Sequence, residues 1–427
     1  MTELTTQRSD TTAESNQIVV STTQLRLVRQ IMHDELRIAC TGETSSEALG
    51  LTLVDLDEES LERVAGERYA ADEDLRSFIR SAWDARAETS RVVDPLDVLL
   101  FLLRRAFAVR YSRWVLDIGK NRPADNIQGV GEINGGGFGG PRDQGEPSGL
   151  VDYAPRPIPK PFGPPAGTAG EGVRIAVLDT PLLRDPQQDD LTAPVVGTPA
   201  TFVPAQDKYA SLMVAHSLFG LSLIRRSAPK ATILMRPVLN SEGQGRLWDV
   251  AVALAELARE DVDIFHLPLI CMTRDNEPPL LLVTATQRAA ARSLLVAAAG
   301  NYRVREEGGV LLPPEQVRPQ YPAALPWVLA VGATDEAGKP APFSPAAPWV
   351  DAWAPGVNVP GYFARGAVPI PTAGSDPEYV PFNGYATWNG TSQSSADEVG
   401  RLAAALCDPR TVARSLTRVA GVVPDRP

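Results

Sequence analysis

Short, wholly apolar runs recur through the second half of the chain, bounded by glycine, proline or polar turns. Between them lie longer segments whose apolar positions repeat at the helical period. VRIAVLD, ATILMRPVL, DIFHLPLI, SLLVAAAGN and WVLAVGATD read as buried strands, and 211–225, 247–259 and 285–291 as helices. Strands apolar on both faces and alternating with helices predict an α/β fold, a mostly parallel sheet with helices on both faces. In such sheets the chemistry gathers at the carboxyl ends of the strands.

Residues 18–120 carry a different pattern. A strand is predicted over 51–54 and amphipathic helices over 58–70 and 72–86. Asp94-Pro95 is a strong helix start, a capping acid before proline at the first helical position, opening a helix to about Tyr111. This predicts a smaller, mainly helical α+β domain ahead of the larger one. Residues 121–170 turn to glycine, proline and polar residues without either period, which predicts a linker or exposed loop. Gly135, Gly136 and Gly137 within it lack the preceding strand and following helix that a phosphate loop needs. The expected boundaries are a disordered stretch over 1–17, an accessory or regulatory domain over 18–120, a linker over 121–170 and the large domain over 171–427.

Composition narrows the function classes. A net charge of −11 argues against nucleic-acid binding, which needs clustered lysine and arginine. No apolar stretch is long enough to span a membrane, and the polar start lacks the pattern of a secretory signal. Three widely spaced cysteines give no disulfide framework, and they are expected to be small buried hydrophobes in a reducing cytoplasm.

Four residues stand where chemistry could sit, and each has an ordinary reading on its own. Asp179 ends the VRIAVLD strand, as a turn-forming aspartate does. His216 is one of only three histidines and lies on an apolar helix, as core histidines do. Asn301 follows LLVAAAG, a usual place for a turn asparagine. Ser392, in WNGTSQSSADEVG, stands at a helix start, where serine is commonly a cap. Together they fill the four roles of acyl transfer: orienting acid, base, oxyanion donor and nucleophile.

The motifs around them resemble the subtilisin-like serine proteases. GVRIAVLDT is similar to that family's aspartate motif, LLVAAAGN to its oxyanion strand, and GTSQSSADEVG to its serine motif. The stretch from Tyr321 to Val359 resembles the family's segment between asparagine and serine. Counting back from Ala228-Pro229, matched to the family's Ala-Pro, brings the family's histidine onto His216. The resemblance covers about Gly172 to Ala405. It implies a subtilisin-like fold, a triad of Asp179, His216 and Ser392, and Asn301 in the oxyanion hole. It also implies a cis bond at Tyr321-Pro322, and substrate contacts from His266, Leu267, Pro268, Ala298 and Gly300.

Departures from the family pattern cluster near these residues. Pro181 and Ser217-Leu218 replace small residues, His266-Leu267-Pro268 stands where the family has Ser-Leu-Gly, and Gln393, Ala396 and Asp397-Glu398 alter the serine helix. Pro268 removes one backbone donor from the strand on which the family pairs its substrates. Asp397 and Glu398 are expected in the first turn of that helix, suiting its dipole. The expectation is a cytoplasmic serine endopeptidase of narrow range, acting on a protein or peptide and restrained through its N-terminal region. That region could also take a regulatory protein partner. The competing expectation is a non-catalytic peptide binder on the same fold. No cofactor is implied; structural calcium is possible, but no acidic cluster nominates ligands.

Overall fold

The computed structural model describes residues 16–84, 93–126, 154–163, 166–184, 195–196, 202–273, 276–301, 317–372 and 375–406. The stretch 1–15, Gly135, Gly136 and Gly137 of the linker, and Cys407 fall outside them.

Strands β1 (Gln17–Ser21), β2 (Cys40–Ser46), β3 (Leu51–Leu56) and β4 (Ile118–Lys120) form a four-stranded antiparallel sheet in the order β2-β3-β1-β4. Helices α1 (Leu25–Ile31), α2 (Glu58–Ala71), α3 (Glu73–Asp84) and α4 (Pro95–Arg110) complete this domain. Its core joins Ile18, Val20, Val54 and Leu56 of the sheet to Leu99, Leu103 and Phe107 of α4. Asp94 caps α4 as expected, its carboxylate accepting from Leu96 N at 2.9 Å. The segment read as a linker contains a further strand, β5 (Pro123–Asn126).

The large domain is built on a seven-stranded, all-parallel sheet. Its strands are β6 (Arg174–Asp179), β7 (Thr232–Pro237), β9 (Ile264–Leu267), β11 (Leu294–Ala298), β12 (Leu329–Thr334) and β13 (Ala352–Pro355), in the order β13-β12-β11-β9-β6-β7, with Val195–Val196 at the edge beyond β7. Strand β8 (Gln244–Arg246) and strand β10 (Leu269–Ile270) lie outside it. The predicted DIFHLPLI strand is therefore two: β9 stays in the main sheet, and β10 leaves it. The break is Pro268, which has no N–H to give a ladder and a fixed φ.

Strand residues alternate between two apolar layers. Leu178, Phe265, Leu267 and Ala297 pack with α6 (Leu247–Leu257) and α7 (Leu280–Ala290), whereas Val177, Ile264 and Val296 pack with α5 (His216–Ser227) and α8 (Thr391–Leu406). Helices thus cover both faces, as the pattern predicted. A long antiparallel hairpin, β14 (Val359–Thr372) with β15 (Ser375–Trp388), leads into α8. The Tyr321-Pro322 bond is cis. Cys271 is buried, but Cys40 is exposed, contrary to expectation, because it sits on β2, the edge strand of the small sheet. Among the described residues no helix is long and apolar enough to cross a membrane.

Candidate active site

Each of the four candidate residues stands at the end of an element. Asp179 closes β6, two residues before Pro181, and Thr180 N donates to its Oδ1 at 2.6 Å. His216 opens α5 after a short 3₁₀ turn, Leu212–Ala215, which Ser211 caps. Its Nδ1 lies 2.7 and 2.9 Å from the two Asp179 carboxylate oxygens. Those oxygens only accept, so Nδ1 carries a hydrogen, and in the neutral ring that leaves the lone pair on Nε2. Both residues are buried, Asp179 at 1% and His216 at 5% exposure. The indole of Trp388 packs edge-on against the His216 ring, with centroids 5.7 Å apart.

Asn301 and Ser392 meet through Thr391. The Asn301 carbonyl oxygen accepts from Thr391 N at 2.9 Å and Thr391 Oγ1 at 3.0 Å, while Gly300 N donates to Thr391 Oγ1 at 3.1 Å. With Oδ1 committed to Thr391, the donors Asn301 offers are those of Nδ2. That atom lies 3.1 Å from where a Cβ on Gly390 would stand, and such a Cβ would also sit 2.5 Å from Gln393 Oε1. Gly390 has φ +153°, so the chain turning into the serine helix passes the asparagine amide as backbone alone. Ser392 Oγ is buried and makes no hydrogen bond. No hydrogen bond joins it to His216; in free enzymes that use such a serine–histidine pair the bond is often long and tightens on substrate.

The expected substrate-contact residues divide by face. Leu267 shares the apolar layer of α6 and α7, whereas His266 points to the other side, onto α8, where its Nε2 lies 2.9 Å from Ser395 Oγ. His266 is 1% exposed, a sheet residue beneath the site rather than an open wall. Ala298 packs on Ile270, and Gly300 has φ +105° over Gln320. Asp397 and Glu398 lie beyond the first turn of α8, because that helix begins at Thr391. They do not serve its dipole. Asp397 is 3% exposed and pairs with Arg226 and Arg401, each at 2.7 Å, which ties the serine helix to the histidine helix. Burial raises the Glu398 carboxyl.

Sequence patterning missed what borders the site. Strand β5 lies between β8 and β10, antiparallel to both, in a separate three-stranded sheet. The partners are Pro123 with Arg246, Ala124 with Gly245, Asp125 with Gln244 and Ile270, and Asn126 with Leu269. Beyond Pro268, then, the edge still pairs, and its partner is the chain's own N-terminal region. Ala124 is fully buried in the layer that holds Leu239, Trp248 and Leu267. The small domain docks on the same side. Leu247 N donates to Arg122 O at 2.9 Å and Trp248 N to Asn121 Oδ1 at 3.1 Å, so residues before β5 cap α6, which has no side-chain cap of its own. The Arg288 guanidinium donates to the carbonyls of Ala48 and Leu49. The only local hint was Pro123-Ala124 within a polar stretch, too short to show a strand period.

Among the described residues no cluster of three or more histidine, cysteine or acidic side chains could hold a metal. Residues 170–410 match the profile of the Subtilase family. Subtilisin BL of Lederbergia lenta is 29% identical over 246 residues, covering 56% of this chain and 77% of that protein. Alkaline elastase YaB of Bacillus sp. (strain YaB) is 27% identical over 251 residues, 57% of this chain and 56% of its own length. A solved structure titled as the prenylagaramide maturation protease PagA aligns at TM-score 0.42 with 23% identity, covering 57% of this chain and 78% of its own.

Proposed function

The chain belongs to the subtilase family, and on that premise we propose that it is a serine endopeptidase working through an acyl-enzyme, restrained by its own N-terminal domain. The observation that carries the chemistry is the buried Asp179–His216 pair, with Nδ1 protonated by its contacts and Nε2 left as a base. Ser392 Oγ attacks a peptide carbonyl while His216 Nε2 takes its proton. Asp179 fixes the imidazole tautomer and stabilises the imidazolium. Asn301 Nδ2 and the Ser392 N–H receive the oxyanion. His216 then returns the proton to the leaving amine, and water hydrolyses the acyl-enzyme with His216 again as base.

The restraint rests on β5. A substrate strand pairing with β10 would need the edge that Leu269 and Ile270 now give to Asn126 and Asp125. Such an arrangement suits a retained regulatory domain and a cleaved prosegment alike. With Pro268 interrupting the pairing strand, it also supports a narrow substrate range, for the backbone ladder open to any peptide is short. The test is labelling of the full-length chain by a fluorophosphonate, with intact mass measured before and after incubation. Labelling that disappears in Ser392→Ala supports the enzyme, and a mass loss mapping just past β5 identifies a prosegment. No labelling, with peptides still bound, would favour the peptide-binding reading instead.

A further inference from the structure

We propose that His266 is a neutral positioning residue for the nucleophile, donating from Nε2 to Ser395 Oγ, whose hydroxyl donates in turn to the backbone carbonyl of Ser392. This rests on the reading of Ser392 as nucleophile. His266 lies at 1% exposure in the middle of the parallel sheet, between β6, which carries Asp179, and β11, which leads to Asn301. Its Nε2 is 2.9 Å from Ser395 Oγ, and Ser395 Oγ is 3.0 Å from Ser392 O. A serine hydroxyl has one hydrogen, and a carbonyl can only accept. With Ser395 donating to Ser392, the hydrogen between His266 and Ser395 belongs to His266 Nε2. The tautomer follows: Nδ1 is the bare nitrogen, and it is buried with no partner. The opposite tautomer would leave a buried N–H unpaired, which is the costlier orphan.

The arrangement places two side chains, His266 and Ser395, under one atom of the serine helix. The carbonyl of Ser392 sits in the first turn of α8, where the nucleophile's direction is set, and the sheet reaches it through His266 and Ser395. The charged and titratable groups facing His266 are Asp179, which favours its proton, and His216, which opposes it; burial outweighs both and pushes its pKa down to about 4. His266 therefore keeps a single hydrogen at working pH and adds no charge beside the catalytic pair. It does not touch substrate; it holds the residue that does.

Two measurements test this. In full-length Ser392→Ala protein labelled with ¹⁵N-histidine, only three imidazoles contribute, those of His33, His216 and His266. His266 is expected as the Nε2–H tautomer, unchanged between about pH 5 and 9. An Nδ1–H tautomer, or titration in that range, would overturn the proposal. In the active full-length chain, His266→Leu is expected to lower kcat about tenfold, the equivalent of one net hydrogen bond, with KM little changed. His266→Gln, whose side-chain amide can donate from a similar position, should recover most of that loss and leave the acid limb of kcat/KM in place. Equal losses in the two variants, or a shifted acid limb in His266→Gln, would refute it. A wild-type chain that no fluorophosphonate labels would end the serine-nucleophile reading, and the imidazole spectra would still decide the hydrogen-bond chain.

Discussion

Replacing Ala124 by aspartate should open the cleft. Ala124 has no exposed surface and belongs to the apolar core layer that also holds Leu239, Leu247, Trp248 and Leu267. A carboxylate placed there has no partner and costs several kcal/mol, even allowing for relaxation. The strand can escape that cost by undocking. What it gives up is a short ladder, with register over three residues on β8 and two on β10. Pro123 contributes no N–H to it, and each remaining bond is worth about 0.5–1.5 kcal/mol net. Undocking is thus the cheaper course, and the equilibrium moves toward the open form by about 3 kcal/mol, or on the order of a hundredfold. The assay is hydrolysis of a short chromogenic peptide by the full-length chain, confirmed intact by mass. Ala108→Asp, at an exposed position of α4, serves as the control. Ala124→Asp should be faster than wild type by one to two orders of magnitude, while Ala108→Asp should match wild type. Equal rates for an active wild type and a folded Ala124→Asp chain would show that β5 does not restrain the site.

Asn301→Ala should lower kcat by about 10²–10³ with KM nearly unchanged, a magnitude carried over from subtilisin's own oxyanion asparagine; equal activity would remove Asn301 from that role. His266 makes stability pH-dependent with a definite sign. Its folded pKa of about 4 lies below the ordinary 6.5, so the unfolded chain binds its proton first as pH falls. The contribution is complete above the ordinary value and is lost between there and the folded one, about 3 kcal/mol in all. Denaturant unfolding of Ser392→Ala at neutral pH and near pH 4.5 should therefore show a larger loss than the Ser392→Ala/His266→Gln double variant, and equal losses would refute the assignment. Gly300→Ala should destabilise far more than Gly338→Ala. Both have positive φ, +105° and +75°, but only at Gly300 does a Cβ meet an atom, Gln320 Oε1 at 1.5 Å. Thermal unfolding compares them, and similar shifts would mean that Gln320 moves aside freely.

Much of this protein was legible one segment at a time. The buried runs gave the parallel sheet because a strand covered on both faces must be apolar throughout, whichever neighbours it pairs with. Asp94-Pro95 marked the start of α4 because a cap is satisfied within its own turn. Asp179 and Asn301 could be read as site residues because they follow directly on such runs, where the strands end. The rest depended on partners distant in the chain. Strand β5 has four residues and little apolar character; it is a strand because β8 and β10, more than a hundred residues away, supply both its edges. By its place in the sequence Asp397 suits a helix dipole, and the fold sets Arg226 against it from another helix. The resemblance puts His266 among the substrate contacts, and the alternation of side chains along β9 turns it the other way, onto Ser395. Periodicity records that a residue is buried; which atom it meets there is a matter of register and packing between segments, and the chain acquires those only when it folds.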